Sequence, residues 1–145
     1  MKITIYTSVQ QDYRRVWAGF TRQLFDQLSP PFPPVDVVRF DGCLKGDTVH
    51  LRLNFLLFKQ DWISVIIEQQ EIDQEIYFID KGTQLPFFLS SWHHKHRIIR
   101  DGNHTRIADE ITFRTPTLLT DFLLYPVFYG LFAYRGPVYK RIFQP

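Results

Sequence analysis

The side chains best equipped for chemistry in this chain are His94, His96 and Asp109. An imidazole held by a carboxylate is a recurring general acid–base unit. Two imidazoles and one carboxylate also make a common metal-ligand set. All three residues fall within Trp92–Phe113, WHHKHRIIRDGNHTRIADEITF, which reads as two strands around Asp101-Gly102. One face then shows Trp92, His94, His96 and Ile98, followed by Thr105, Ile107, Asp109, Ile111 and Phe113. The other shows His93, Lys95, Arg97, Arg106 and Glu110. The first face is apolar except for its titratable groups and a threonine, and titratable groups are costly on a dry face unless paired. They are either a buried polar pair or part of the wall of a pocket.

A loop at Asp101-Gly102 sets Arg100 opposite Asn103, Ile98 opposite Thr105, His96 opposite Ile107 and His94 opposite Asp109. A three-residue loop, Arg100 to Gly102, would set His94 opposite Ala108 and Trp92 opposite Glu110, scrambling the apolar face. The first register is therefore expected, with His94 and Asp109 close enough to pair. It also sets Arg97 against Arg106 on the outer face, a like-charge contact that Glu68 or Asp80 would have to relieve.

No nucleophile or oxyanion donor can be placed beside His94 and Asp109, so the pair is expected to satisfy itself and fix register. His96 could join them around a metal, since same-face strand neighbours lie roughly 6.5 to 7 Å apart. Such clusters arise readily by period-two coincidence, and neither metal nor cofactor is assigned. Asp41-Gly42 and Gly46-Asp47 lack the lysine of a phosphate loop and the ligand spacing of a calcium loop, and read as turns.

The chain's 145 residues suit one domain, 1–145, with a sizeable core. A hydrophobic share of 45% against 22% charged excludes a disordered chain. Aromatics reach 17%, with 14 phenylalanines, enough to fill a core or wall a pocket. The net charge of +2 is spread without a basic stripe, so no nucleic-acid partner is expected. Cys43 is the single cysteine, which excludes an internal disulfide and fits a reducing, cytoplasmic setting. No signal peptide is legible in MKITIYTSVQQDYRR. The apolar run Phe122–Tyr134 is too short to span a bilayer, so stable membrane insertion is not expected. It reads as the core face of a helix rather than a membrane-surface segment.

The elements that must position the histidines follow from period. Lys2–Thr7 alternates as a first strand, and Ser8 is a plausible N-cap. Val9, Tyr13, Val16, Trp17, Phe20, Leu24 and Leu28 then recur at helical steps, with Gly19 dividing two short helices. Ser29–Pro34 stops them. Strands are expected at Val35–Phe40, Thr48–Phe58, Asp61–Gln70 and Glu75–Asp80, with a turn at Lys81-Gly82 and an irregular edge at Leu85-Pro86-Phe87 before the hairpin. Thr115-Pro116 opens a long helix reaching about Ile142, with Pro126 and Gly130 suggesting a kink. Its expected core face is Leu118, Phe122, Tyr125, Tyr129, Phe132 and Val138. A helix this apolar must lie on the sheet, and one helix roughly 10 Å wide cannot fill a concave seven-stranded face.

This order resembles the α+β helix-grip fold of the SRPBCC superfamily: a curved seven-stranded antiparallel sheet around a long C-terminal helix, with two short helices after the first strand. That superfamily includes START-like lipid-transfer domains, birch-pollen-allergen-like proteins and polyketide cyclases. Phe78-Ile79-Asp80, Leu85-Pro86-Phe87, the spaced Trp92, His94, His96 and Ile98, the alternation Thr105 to Phe113, and Phe132 to Arg135 are similar to its uncharacterised bacterial branch. The resemblance implies a cavity between sheet and long helix that takes hydrophobic small molecules. Residues expected at it are Phe78, Trp92, His94, His96, Ile107, Asp109, Ile111, Phe113, Tyr125 and Tyr129.

The function expected is binding, or transport, of an apolar or amphipathic small molecule such as a lipid, polyketide or aromatic metabolite. One alternative is a cyclase- or dehydratase-type enzyme using His94 and Asp109. Another is a protein-binding module whose cavity has collapsed onto phenylalanines. The sequence leaves the oligomeric state open.

Overall fold

The computed structural model describes residues 1–145. Strand β1 (Lys2–Val9) leads into helices α1 (Tyr13–Ala18) and α2 (Arg22–Leu28). Strands β2 (Val35–Phe40), β3 (Thr48–Asn54), β4 (Lys59–Ile72), β5 (Glu75–Gln84), β6 (Ser91–Asp101) and β7 (His104–Arg114) follow. Helices α3 (Leu118–Ala133) and α4 (Arg135–Ile142) close the chain. The seven strands form one antiparallel sheet in the order β1-β7-β6-β5-β4-β3-β2.

Local chemistry sets the boundaries. Asp12, not Ser8, caps α1, accepting from the backbone N–H of Arg14 and Arg15, and β1 runs on to Val9. Gly19 ends that helix as expected. The third strand stops at Asn54 rather than Phe58, because Leu56 takes a positive φ of 72° and the Asn54 side chain caps the turn. In β5, Lys81-Gly82 is no turn: Lys81 pairs with both Val65 and His93, and the strand continues to Gln84. The last helix runs through Pro126 and Gly130 and is interrupted instead at Tyr134. Thr117 and Thr120 form a capping box at its start.

The β6–β7 register differs from expectation by two residues. The two-residue turn is Gly102-Asn103, with Gly102 at φ 63°, and Asp101 pairs with His104. Ile98 therefore faces Ile107, His96 faces Asp109, His94 faces Ile111 and Trp92 faces Phe113. A shift of two preserves every side chain's face, so the apolar surface survives intact. The Arg97–Arg106 contact vanishes. Arg97 lies opposite Ala108 and is held by Glu75 and Glu110 instead.

Two apolar cores lie on the concave face. One gathers Val16, Leu24, Phe78, Ile98, Ile107 and Tyr139 beneath α1, α2 and α4. The other gathers Ile3, Trp92, Ile111, Phe113, Phe128 and Phe132 beneath α3. Each fully buried side chain of this size contributes about 1.5–3 kcal/mol. The helix face expected to be buried is only partly so. Phe132 and Val138 are buried and Tyr125 half-buried, while Leu118, Phe122 and Tyr129 are exposed and Phe128 and Asp121 face inward. No helix is long and apolar enough to cross a membrane.

Candidate functional site

The two cores are separated by a polar cluster. Strand alternation brings Asp80 to the inner face of β5 beside Phe78, and His94 and His96 to the same face of β6. Asp109 comes from β7. The imidazoles stack, with centroids 3.6 Å apart and planes 29° from parallel. His94 Nε2 donates to Asp109 Oδ1 at 2.8 Å, and His96 Nε2 donates to Asp80 Oδ2 at 2.7 Å. Each ring also stands near the other carboxylate, His94 Nδ1 3.7 Å from Asp80 and His96 Nδ1 3.8 Å from Asp109. Arg135 Nη1, from the first turn of α4, lies 3.8 Å from Asp109 Oδ1, and its guanidinium covers the Phe132 ring.

Aromatic rings clamp this cluster. His96 stacks on Phe78 at 4.2 Å, and His94 meets the edges of Trp92 and Phe132. Both histidines and Asp109 are buried, and Asp80 retains slight exposure. Burial, with the neighbouring His94, pushes the His96 pKa down to about 4 against the pull of Asp80 and Asp109. Burial alone would raise the Asp80 and Asp109 carboxyls. Hydrogen bonds from His96 and His94, with the nearby basic charges, outweigh it and hold both below the usual carboxylate range. The Tyr139 hydroxyl, buried and near Asp109, is pushed up and stays protonated.

Asp80, His94 and His96 each bring a ligand atom within 4.8 Å of the others'. The rings lie nearly parallel, however, so their in-plane lone pairs run alongside each other instead of converging on one ion. The metal triad weighed from sequence had Asp109 in place of Asp80. Nucleophiles are no better placed. Burial raises the Cys43 thiol to about 12, with Asp80 and Asp47 adding to it, and no hydroxyl or thiol hydrogen-bonds either imidazole.

Above the cluster is a cavity of about 150 Å³. Its walls come from α2 and the following linker, from strands β2 to β6, and from Phe128, Leu131, Phe132 and Arg135. The cause is the offset of the closing helices. Both α3 and α4 pack on β1, and α3 also on β7, leaving the β2–β5 half of the concave face less covered. The phenylalanines do not fill it. Two tryptophans, Trp62 and Trp92, meet edge-on at its wall with centroids 4.6 Å apart.

Of the residues expected at the cavity, Phe78, Trp92, His94 and His96 line it. Asp109 sits behind them, reaching it through His94. Ile107 packs in the first core, and Ile111, Phe113 and Tyr125 in or against the second, while Tyr129 points outward. Sequence reading missed Asp80 and Arg135 as site residues. The alternation Ile76, Phe78, Asp80 carried a signal for the first. The second ends the Phe132–Arg135 stretch that carried the resemblance, but its place at the site depends on the helix break at Tyr134, which the sequence did not signal.

No known family's sequence model matches the chain, and no curated protein matches it. Solved structures do. Protein Ms6760 from Mycobacterium smegmatis is 18% identical with a TM-score of 0.69, over 97% of this chain and 89% of that one. Truncated norcoclaurine synthase from Thalictrum flavum is 11% identical with a TM-score of 0.69, over 98% and 92%. Ara h 8.0201 is 13% identical with a TM-score of 0.59, over 96% and 97%. The chain has their fold: a curved seven-stranded antiparallel sheet closed by C-terminal helices, with two short helices after the first strand. One of the three is an enzyme by name, so the shared scaffold does not assign an activity.

Proposed function

We propose that this chain binds a small amphipathic molecule, with an apolar body and one polar group, between the sheet and α3. The observation that supports this is an aromatic- and aliphatic-walled cavity with its polar side chains gathered at one corner: Asp80, His94, His96 and Arg135. Pockets of this composition anchor a ligand's orientation through few polar contacts. The volume of about 150 Å³ suits a guest the size of a single six-membered ring rather than a two-chain lipid. Asp80 accepts and Arg135 donates, so a hydroxyl, carbonyl or amine on the ring would be met.

Native mass spectrometry of the protein from its own host tests this reading. We expect an extra mass that is lost on denaturation. Its absence from every preparation, together with no response to a panel of hydroxylated and amino-substituted single-ring compounds, would overturn the proposal.

A second reading, acid–base catalysis of cyclase or dehydratase type, has the His94–Asp109 hydrogen bond in its favour. It requires turnover of a bound ring compound that His94→Ala abolishes without abolishing binding. Binding untouched by any conversion would leave the pair a structural one.

A further inference from the structure

Antiparallel connectivity puts four connections at one end of the sheet: the α2–β2 linker, the β3–β4 and β5–β6 turns, and the segment leading into α3. This end is conspicuously apolar on its outside. Leu56 and Leu57 at the tip of the β3–β4 turn are 80% and 95% exposed, and Phe87 on the β5–β6 turn is 68% exposed. Phe32 on the linker is exposed beside them, and its ring, with those of Phe55, Phe58, Phe87 and Phe88, forms one chain of aromatic contacts. From the same end, the first turns of α3 present Leu118, Leu119, Phe122 and Leu123 to the outside. The only charged residue in α3 is Asp121, and it is buried. A surface helix normally turns a polar face outward. Here the outward face has no charge at all.

The surrounding charges select the partner. Lys2 and Lys59 are exposed around this apolar end without an ion-pair partner, and Arg114, also exposed, is offset by Asp121. The acidic groups are mostly tied up: Asp61 is bonded to Arg52, and Asp121 accepts from Thr115 and pairs with Arg114. Asp36 is the exposed exception. Projecting leucines ringed by basic residues match an anionic lipid surface, which needs no complementary recess. A two-fold dimer through this end would instead bring the same basic set to both sides. We propose that this end of the molecule docks on the surface of an anionic lipid bilayer, with Leu56, Leu57 and Phe87 entering the headgroup–acyl boundary. The cavity walls include Pro30 and Pro33 of the same linker, so docking would set the binding site beside the membrane.

The test is vesicle co-sedimentation of the whole chain. The vesicles are phosphatidylcholine alone, or with about one part in four phosphatidylglycerol, at low and high salt. We expect binding to the anionic vesicles that weakens with salt. The double variant Leu56→Asp, Leu57→Asp alters only exposed side chains and is expected to keep its thermal midpoint while losing at least about tenfold in binding. Lys59→Glu should weaken binding at low salt only. Absence of binding to anionic vesicles overturns the proposal, as does binding that the double variant leaves unchanged. A wild-type dimer that the double variant dissolves, with no vesicle binding, assigns the face to a second copy and overturns it equally. The proposal stands or falls apart from the cavity reading, which the double variant leaves intact.

Discussion

His94 and His96 lie ring against ring, 3.6 Å between centroids, yet each gives its Nε2 hydrogen to a different strand: His94 to Asp109 on β7, His96 to Asp80 on β5. Two neighbours on one strand thus fasten both flanking strands at the depth where the two apolar cores meet. Three consequences concern this cluster and its cavity, and a fourth the helix above them.

Acid should weaken the fold in two stages. The folded protein holds His96 at about 4 against an ordinary 6.5, so the unfolded chain takes up that proton first. Stability from this group is full above about 6.5 and is lost as pH falls toward 4, by up to about 3 kcal/mol. Asp80 and Asp109 are lowered in the fold, so their contribution persists above the ordinary carboxylate value and is lost only at lower pH. Urea unfolding across this range should show the first slope in the parent protein and a flattened one in His96→Gln. An equal slope in both would remove His96 as its origin.

Asp109→Ala should cost about 3–5 kcal/mol, because it strands a buried imidazole hydrogen and the Arg135 guanidinium. His94→Ala removes the same hydrogen bond from the other side. The double variant should be less destabilised than the sum of the two by at least about 1 kcal/mol. Additive effects would show that the two residues do not act as a pair.

Ser64 is buried and lines the cavity, and Ser64→Phe should fill much of it without disturbing the sheet. Tryptophan emission reports the effect, since Trp62 and Trp92 stand at the wall and Trp17 packs elsewhere, against Phe78. A single-ring ligand should change the emission of the parent protein, and the variant's affinity should fall by at least about tenfold. Equal titrations would place the ligand outside this cavity.

Thr117→Ala removes the side chain that accepts from the Thr120 N–H and opens the capping box. A loss of about 1 kcal/mol is expected, seen as a thermal midpoint lower by a few degrees. Thr117→Asp, which restores an acceptor beside the helix's positive end, should recover most of it.

Much of this was legible from residue order, and the gaps have physical causes. Alternation in Trp92–Phe113 identified the inner face correctly, because that face is buried and period two permits no other choice. The same periodicity cannot tell a turn at Asp101-Gly102 from one at Gly102-Asn103, since a shift of two maps each face onto itself. The pairing of His94 with Asp109 was expected straight across the strands. It is formed on the diagonal, by a ring long enough to reach a neighbour offset by two. Asp80 was hidden by ending its strand there, at a glycine-containing dipeptide that the sheet carries straight through. In α3 nearly every residue is apolar, so the sequence carries almost no phase: nothing marks which side turns inward. Phe128 went in and Phe122 stayed out for reasons of packing alone.

Pro126 gives the roof over the cavity a mechanical character. With no N–H to offer, it leaves the Phe122 carbonyl without its helical partner midway along α3. Both ends of the span are pinned, one by the Thr115–Thr117–Thr120–Asp121 network and the other by buried Val138, Tyr139 and Phe143. Phe128, Leu131 and Phe132, which line the cavity, lie between that weak joint and the pinned far end. A bulkier occupant would therefore be admitted by bowing the beam at Pro126 and at the break at Tyr134, with the abutments unmoved.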